Sequence, residues 1–355
     1  MNKDIAQLTV DAISLLKQLV SLPSFSREEN DTADLLSRFF RERGIAYERT
    51  GNNVWAYNKY KDGTKPCILL NSHHDTVKPN AGYLKDPFDP IVAEGKLYGL
   101  GSNDAGGCLV SLIAAFLYYY EQEDLGYNLC LLASAEEEVS GPHGVEEALK
   151  HIGQMDFAIV GEPTQLDMAV AEKGLMVLDC EAVGVAGHAA REEGKNAIYK
   201  AMDAITWFRT FQFPKTSTYL GPVKMSVTII EAGTQHNVVP ASCTFVVDVR
   251  TTDVYTNEEV LGIIKEHVSV EVTPRSTRLN PSTIELQHPI IRSGMSLGAQ
   301  TYGSPTMSDQ ALLPLPSVKV GPGDSARSHA ADEYIYIEEI ERGVVFYIDL
   351  LKNVL

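Results

Sequence analysis

Residues 67–77 read CILLNSHHDTV, an apolar run of strand character that ends in polar side chains. Similar short runs lie on both sides of it, NVWAYN at 53–58, NLCLLASA at 128–135 and DFAIVG at 156–161. Between them, CLVSLIAAFLYYY at 108–120 has the length of a buried helix. Strands and helices that alternate in this order predict an α/β fold with a largely parallel sheet.

Two helices are predicted before the first strand. Residues 9–21 carry apolar side chains at helical spacing, and Pro23 ends that run. Ser26 and Glu29 have the spacing of a capping box at the start of the second helix, which Gly44 is placed to close. We therefore expect a helical hairpin at the beginning of the chain.

The pattern changes near residue 175. From there to about residue 285 the order is strand, helix, two strands, helix, strand, which is the ferredoxin-like α+β arrangement. From residue 286 the chain returns to α/β character and ends in a long helical stretch. We predict one domain made of residues 1–175 and 286–355, interrupted by an inserted domain of residues 176–285.

Composition excludes several classes of function. The chain has 355 residues, with 47 acidic against 30 basic side chains and a formal charge of -17, which disfavours nucleic acid and anionic membrane surfaces as partners. No apolar run approaches the roughly 20 residues of a membrane span, and no signal-peptide core is present, so we expect a cytoplasmic protein. Scattered cysteines without a CxxC pair predict reduced core residues: Cys67, Cys108, Cys130, Cys180 and Cys243.

The first candidates for chemistry end the opening strand. His73 and Asp75 are two residues apart, so on an extended chain they project to the same face. A carboxylate behind a metal-bound imidazole fixes its orientation. Taken alone, a histidine near an aspartate is more often a surface pair or a satisfied buried histidine than a metal ligand. His74 faces the other way, and we expect it in the core or at a domain contact.

Further acidic residues and a second histidine follow other strand-like runs. Each has an ordinary explanation, as a helix cap, a solvated acidic loop, an exposed turn or a loop histidine. Together, however, they converge, because the carboxyl ends of parallel strands in an open α/β sheet meet at one crevice. Two imidazoles with several carboxylates suit a pair of borderline metals such as zinc. These candidates are Asp104, Glu136, Glu137, Glu138, Glu162 and His329.

The motifs SHHDTV, GSNDAGG, SAEEEVSG, VGEPT and GPGDSARSHAADEY occur in that order. This order resembles the zinc-dependent aminoacylase, acetylornithine deacetylase, succinyl-diaminopimelate desuccinylase and carboxypeptidase G family over essentially the whole chain, with acetylornithine deacetylase as the nearest subgroup. The resemblance implies a zinc-peptidase-like catalytic domain with an inserted lid and dimerisation domain. It also implies two zinc ions, with cobalt as a substitute, a homodimer and a small N-acyl amino acid as substrate.

Carried over residue by residue, the resemblance implies one metal held by His73 and Glu162 and a second held by Glu138 and His329. Asp104 would bridge the two metals. This chain has Ala105, Gly106 and Gly107 where many members of the family have a lysine and a glycine.

The resemblance also implies roles around the metals. Asp75 would orient His73, and Glu137 matches the general base, an assignment made from the spacing to Val139 and Ser140 because the acidic run is Glu-Glu-Glu rather than Asp-Glu-Glu. His188 matches a histidine that helps to stabilise the oxyanion, often in the partner subunit. Substrate-binding positions are Asn237, Arg250, Gly321 and Gly323, and a guanidinium fork suits a substrate carboxylate.

The function expected from these residues is metal-dependent hydrolysis of an N-acyl amino acid. N-acetylornithine, or an N-succinyl or N-acetyl analogue of it, is the first candidate substrate, which would place the reaction in arginine biosynthesis. Two alternatives stay open. A metallocarboxypeptidase or dipeptidase would use the same residues on a peptide bond, and a non-catalytic dimeric protein would hold its metals for structure alone, in closed sites.

Overall fold

The computed structural model describes residues 4–355 and divides into two compact units. One unit comprises the described residues up to Val170 together with Thr283–Tyr302 and Ser308–Leu355, and the other comprises Ala171–Ser282 and Gly303–Met307. The sequence placed the inserted domain at 176–285 and gave no sign that the short segment Gly303–Met307 belongs with it. In the structure Gly303 lies so close to Tyr219 that a Cβ atom there would be 2.4 Å from the Tyr219 carbonyl oxygen.

The described residues form eight α-helices and eighteen strands. The helices are α1 Ile5–Val20, α2 Asn30–Glu42, α3 Gly107–Tyr119, α4 Val145–Leu149, α5 Ala197–Thr210, α6 Asn257–His267, α7 Pro289–Ser296 and α8 Ile337–Lys352. The strands are β1 Tyr47–Thr50, β2 Asn53–Tyr57, β3 Cys67–His73, β4 Val92–Ala93, β5 Lys96–Tyr98, β6 Asn128–Ser134, β7 Phe157–Val160, β8 Met168–Glu172, β9 Gly174–Val183, β10 Gly187–His188, β11 Lys224–Ala232, β12 Val238–Val239, β13 Ser242–Thr251, β14 Glu271–Pro274, β15 Ser282–Thr283, β16 Thr301–Ser304, β17 Ser317–Lys319 and β18 Tyr334–Tyr336. Among these helices none is long and apolar enough to cross a membrane.

The central sheet confirms the predicted fold class. Its order is β1-β2-β6-β3-β7-β17-β8-β15, with β16 on β8, and the middle strands β6, β3, β7 and β17 are mutually parallel. The register sets His73 opposite Ser134, so β3 and β6 end at the same level, and it sets Asn71 opposite Val160, so β7 ends two residues earlier. Every residue of β3, β6 and β7 is buried, as expected for parallel strands covered on both faces.

Helix α3 is apolar around its whole circumference and buried over nearly all its length. Its beginning depends on small residues. A Cβ atom on Gly106 would lie 2.6 Å from Leu16 of α1, and one on Gly107 would lie 2.3 Å from Ile335 of β18. The two glycines therefore let the start of α3 pack against both elements.

The cysteines also behave as the sequence predicts. All five are free and buried. Burial raises the pKa of the Cys67 and Cys180 thiols to about 12. It raises the pKa of the Cys108 and Cys130 thiols well above the usual range. They act as core residues in the reduced state.

The second unit has the predicted ferredoxin-like order. Strands β11-β13-β9-β14 form an antiparallel sheet, and α5 and α6 connect β9 to β11 and β13 to β14. The two helices and one face of the sheet enclose a separate apolar core, which includes Phe208, Phe245 and Ile264. This unit therefore has a hydrophobic core of its own.

The predicted capping box at the start of α2 is wrong. Glu29 is itself the N-cap residue and makes no side-chain hydrogen bond to the helix. Its carboxylate instead accepts the backbone N–H of Glu136, while the Ser26 hydroxyl donates to Asp75. The prediction for Gly44 is confirmed, since it follows the helix with φ of 67°.

Candidate metal centre

The parallel strands bring the predicted side chains to one edge of the sheet. His73 is the last residue of β3, and Glu137 and Glu138 follow β6 in a short helical turn. Glu162 follows β7, and Asp104 lies in the turn that leads into α3. His329 lies in the loop after β17. The expected convergence at the carboxyl ends of the strands is therefore present.

Asp104 lies between the two histidines. The Nε2 atom of His73 is 3.4 Å from Oδ1 of Asp104 and 3.6 Å from Oε1 of Glu162. The Nε2 atom of His329 is 3.7 Å from the other oxygen of Asp104, Oδ2, and 2.9 Å from Oε2 of Glu138. Each histidine thus faces one oxygen of the same aspartate and at least one glutamate.

The three consecutive glutamates point in different directions. Glu136 has φ of 55°, and its Oε2 accepts the backbone N–H of His143 at 3.4 Å. Its carboxylate makes no ion pair with His73 or His329 among the described residues. Glu137 lies with Oε2 at 3.9 Å from Nε2 of His73, and Glu138 bonds to His329. The geometry therefore separates Glu136 from the two glutamates that face the centre.

Asp75 contacts His73 but binds the acidic turn as well. The Nδ1 atom of His73 lies 2.9 Å from the Asp75 backbone oxygen and 3.5 Å from its carboxylate. That carboxylate accepts the backbone N–H groups of Glu137 at 3.0 Å and Glu138 at 3.2 Å. Asp75 thus links the end of β3 to the turn after β6.

His74 lies in the core of the first unit. Its Nε2 atom lies 2.9 Å from the backbone oxygen of Asn52, and its Nδ1 atom lies 2.9 Å from the hydroxyl of Thr32. Burial lowers the pKa of His74, so the imidazole is neutral at pH 7. Because a carbonyl oxygen only accepts, Nε2 carries the proton.

The electrostatics of the cluster suit a cation. Burial raises the pKa of Glu137 and of Glu162 well above the usual range, since their negative charges lie together away from water. Burial alone would lower the pKa of His73, but the surrounding carboxylates raise it well above 6.5, while the hydrogen bond to Glu138 raises the pKa of His329 to about 9. A bound divalent cation would offset the repulsion between these carboxylates.

The donor set and its spacing fit such an ion. Two groups of side chains, His73 with Asp104 and Glu138, and His73 with Glu137 and Glu162, each place their ligand atoms within 4.8 Å of one another. Imidazole nitrogen with carboxylate oxygen is a donor set for zinc and related metals. The residues present therefore fit a metal centre.

Two buried carboxylates beside the centre were not identified as functional from the sequence. Asp309 accepts from Asn71 at 2.8 Å and from Ser134 at 2.7 Å, and burial raises its pKa to about 6. It begins a short 3-10 turn at Asp309–Leu312, which no pattern in the sequence marks. Glu333 accepts the N–H groups of Asn103 and Asp104, and burial raises its pKa to about 8. Its proximity to His329 in sequence was the only signal.

The second unit holds the other predicted polar positions. Strand β10, which ends in His188, pairs with β12, and the backbone oxygen of Asn237 accepts the N–H of Ala189. Arg250 makes a two-bond ion pair with Asp248, at 2.9 Å and 3.1 Å. His188 is exposed. The pairing thus brings His188 and Asn237 together although the sequence separates them.

Arg250 also lies near two lysines of the same unit. Burial lowers the pKa of Lys173, and the positive charges of Lys224 and Arg250 lower it further. These three side chains form a cationic cluster.

Gly321 and Gly323 pack against the loop that carries Glu162. The carbonyl of Gly321 accepts from the backbone of Thr164 and Leu166, and a Cβ atom on Gly321 would lie 2.8 Å from the Glu162 carbonyl oxygen. Gly323 has φ of 93°. The close approach and this backbone conformation both require glycine, and a role in substrate binding stays a prediction.

Comparison with known proteins identifies the family. A family model described as peptidase family M20/M25/M40 matches residues 69–353, which is most of the chain. The chain belongs to this family. The family match confirms the resemblance drawn from the motifs and makes the protein an M20 hydrolase.

Individual relatives are more distant. The chain is 28% identical to acetylornithine deacetylase of Proteus mirabilis, over 96% of each sequence, and 25% identical to succinyl-diaminopimelate desuccinylase of Delftia acidovorans, over 93% of this chain and 94% of the other. Among solved structures, a dinuclear metal-binding M20 peptidase from Bacillus subtilis has a TM-score of 0.71 at 16% identity, with 99% of both chains covered. This structural likeness supports the M20 fold.

Proposed function

We propose that this M20 hydrolase removes the acyl group from the nitrogen of an N-acyl amino acid, with N-acetylornithine or an N-succinyl or N-acetyl analogue as the first candidate. The observation that carries the proposal is the arrangement of His73, Asp104 and His329, in which one carboxylate faces two histidines. The match to an acetylornithine deacetylase over nearly the whole of both sequences supports the choice of substrate class.

We further propose that the centre holds two zinc ions, for which cobalt can substitute. His73 and Glu162 would bind one ion, Glu138 and His329 the other, and Asp104 both. When bound, two such ions polarise the scissile carbonyl and lower the pKa of a water molecule to about 7.

In the proposed reaction, a side chain of this protein transfers the proton between the water and the leaving nitrogen. Glu137 lies beside the proposed ligands but is left outside that set, so it is free to take the proton from the attacking water and return it to the leaving nitrogen. Asp75 holds the backbone N–H of Glu137 and so fixes the start of that side chain.

Substrate recognition is proposed for the second unit. By resemblance, His188 stabilises the oxyanion, and Asn237 and Arg250 contact the substrate. The proximity of Lys173 and Lys224 to Arg250 supports binding of a carboxylate there, because the cluster has more positive charge than Asp248 neutralises. A free α-carboxylate is common to all N-acyl amino acids.

The test is release of free amine from N-acetyl, N-succinyl and N-formyl amino acids and from simple dipeptides, with zinc or cobalt added and with chelator. We expect release from an acyl amino acid that chelator abolishes and metal restores. Release from dipeptides alone would support the peptidase alternative. No release from any compound, with two metals bound, would contradict the proposal.

We also propose that the chain forms a homodimer through the second unit. Strand β11 is an edge of its sheet, and its residues Ile229 and Ile230 are each 52% exposed. On α5, Tyr199 and Met202 are exposed as well. A long apolar edge strand is a template for pairing with another chain.

Light scattering tests the dimer. We expect the wild type to be dimeric and Ile230→Lys to be monomeric, because a buried charge without a partner opposes association. The control Val10→Lys changes a similarly exposed apolar residue of α1 and should leave the dimer intact. A monomeric wild type would contradict the proposal.

A further inference from the structure

Three successive backbone N–H groups of the acidic turn point at two buried carboxylates. Glu29 accepts the N–H of Glu136 at 3.2 Å, and Asp75 accepts those of Glu137 at 3.0 Å and Glu138 at 3.2 Å. Both acceptors are at most 1% exposed. Successive N–H groups around a left-handed residue such as Glu136 form a concave site that favours an anion, and here the protein fills it with its own side chains.

The segment that supplies Glu29 is fixed to the end of β3. Its backbone pairs with Thr76, since Ser26 N–H donates to the Thr76 oxygen at 3.3 Å and Thr76 N–H to the Ser24 oxygen at 2.8 Å. The Ser26 hydroxyl donates to Oδ2 of Asp75 at 2.7 Å. Ser26 therefore holds the Asp75 carboxylate, and Glu29 binds the turn directly through the N–H of Glu136.

These contacts determine where the side chain of Glu137 begins. In this buried setting, water does not replace a carboxylate acceptor that a backbone N–H has lost. Displacement of a catalytic group by about 1 Å costs roughly a hundredfold in rate. A residue that holds the backbone of the turn therefore acts on turnover without touching substrate.

We propose that Ser26 and Glu29 are positioning residues for Glu137: they hold the backbone of the turn at residues 136–138 so that the Glu137 carboxylate meets the water and the leaving nitrogen. The inference rests on the proposed role of Glu137 as the general base. It assigns a function to a sequence pattern, Ser26 and Glu29 at capping-box spacing, that does not cap α2.

The first experiment compares three variants in the metal-loaded enzyme. Glu29→Ala should lower kcat by roughly tenfold to a hundredfold with KM little changed, because positioning of the base matters in the transition state. Glu29→Gln should restore most of the activity, since its amide oxygen can accept the same N–H. The control Glu28→Ala removes the neighbouring exposed glutamate and should match the wild type. Bound metal per chain should be unchanged in all three.

A second variant covers the case in which Glu29→Ala does not fold. Ser26→Ala removes one hydroxyl from a half-buried residue, and loss of one hydrogen bond corresponds to a decrease in kcat of about threefold to tenfold. An unchanged kcat in both Ser26→Ala and Glu29→Ala would overturn the proposal, as would an equal loss in Glu29→Gln and Glu29→Ala.

A double-mutant cycle shows which group the segment acts on. In a Glu137→Gln background, Glu29→Ala should cause no further loss of turnover, because the group that it positions is already disabled. A full additional loss would overturn the proposal. If Glu137→Gln alone leaves turnover unchanged, the proposed function is wrong in its choice of base, a result distinct from failure of the Glu29 variants.

Discussion

At the scale of single residues, the carboxylates around this centre have two separate roles. Some point into it, as Asp104, Glu138 and Glu162 do. Others bind backbone N–H groups of the turns that carry those ligands: Glu333 binds the N–H of Asp104, and Asp75 binds that of Glu138. Burial of a carboxylate costs free energy unless hydrogen-bond donors such as these surround it. The acidic composition of the centre therefore serves its geometry as well as its charge.

The proposed base gives the first prediction. Glu137→Gln keeps the size of the side chain but removes its ability to take a proton, so kcat should fall by about a hundredfold to ten-thousandfold. Metal analysis and kinetics on the same sample check it, with two metals per chain expected in both proteins. A loss of metal would instead make Glu137 a ligand, as its place beside His73 and Glu162 allows.

Glu29 gives a prediction for pH. Burial raises its pKa to about 7 from 4.5, so the folded state holds this proton more tightly than the unfolded state does. Its contribution to the free energy of unfolding is fully present below pH 4.5 and is lost as pH rises through 7. Glu29→Gln cannot ionise, so its free energy of unfolding relative to the wild type should increase with pH. We expect this difference to be about 1–2 kcal/mol greater at pH 8 than at pH 5.5.

Urea unfolding of the two proteins at both pH values measures this difference. Glu28→Gln, in which the altered glutamate is exposed, should show no such dependence. A gap between Glu29→Gln and wild type that stays constant with pH would contradict the raised pKa.

How far the sequence predicts the centre depends on the range of each contact. His73, Glu137, Glu138 and Glu162 follow recognisable strands, so their convergence could be predicted from the sheet alone. Ser26 and Glu29 could not, because their spacing equals that of a capping box and their partners lie 49 and 107 residues away. No pattern within one element distinguishes those outcomes. Competition between a local cap and distant buried donors is decided only by the tertiary fold.

At the scale of elements, one glycine of α3 and one glycine of α6 differ in the space around them. Gly107 begins α3, where Ile335 leaves no room for a side chain, whereas Gly262 lies on the exposed face of α6, where an added methyl group would meet nothing within 4 Å. Helix propensity favours alanine at both sites. Packing therefore decides whether a glycine-to-alanine substitution stabilises or destabilises the protein in α3, and helix propensity decides it in α6.

The corresponding prediction uses the two glycines as a pair. Gly107→Ala should lower the free energy of unfolding by about 1–3 kcal/mol through overpacking. Gly262→Ala should raise it by about 0.5–1 kcal/mol. Chemical denaturation of both variants beside the wild type measures this. Equal effects in the two variants would contradict the close contact between α3 and β18.

At the scale of the whole molecule, the two units divide the proposed work. All of the proposed metal ligands belong to the first unit, and the second has its own apolar core. From the change in strand and helix order near residue 175, the sequence predicts an inserted domain at 176–285, and the second unit comprises Ala171–Ser282 and Gly303–Met307. The sequence did not predict that Gly303–Met307 belongs to the second unit, since that contact depends on the close approach of Gly303 to Tyr219.

Separation of the units gives the last prediction. A fragment of residues 171–282 should fold by itself, because α5, α6 and the four-stranded sheet enclose a complete core. It should be less stable than the same unit in the full chain, since it lacks Gly303–Met307. Circular dichroism with thermal unfolding tests the folding, and metal analysis after incubation with zinc tests the assignment of the ligands. Stoichiometric zinc in the folded fragment would contradict a metal centre built from the first unit alone.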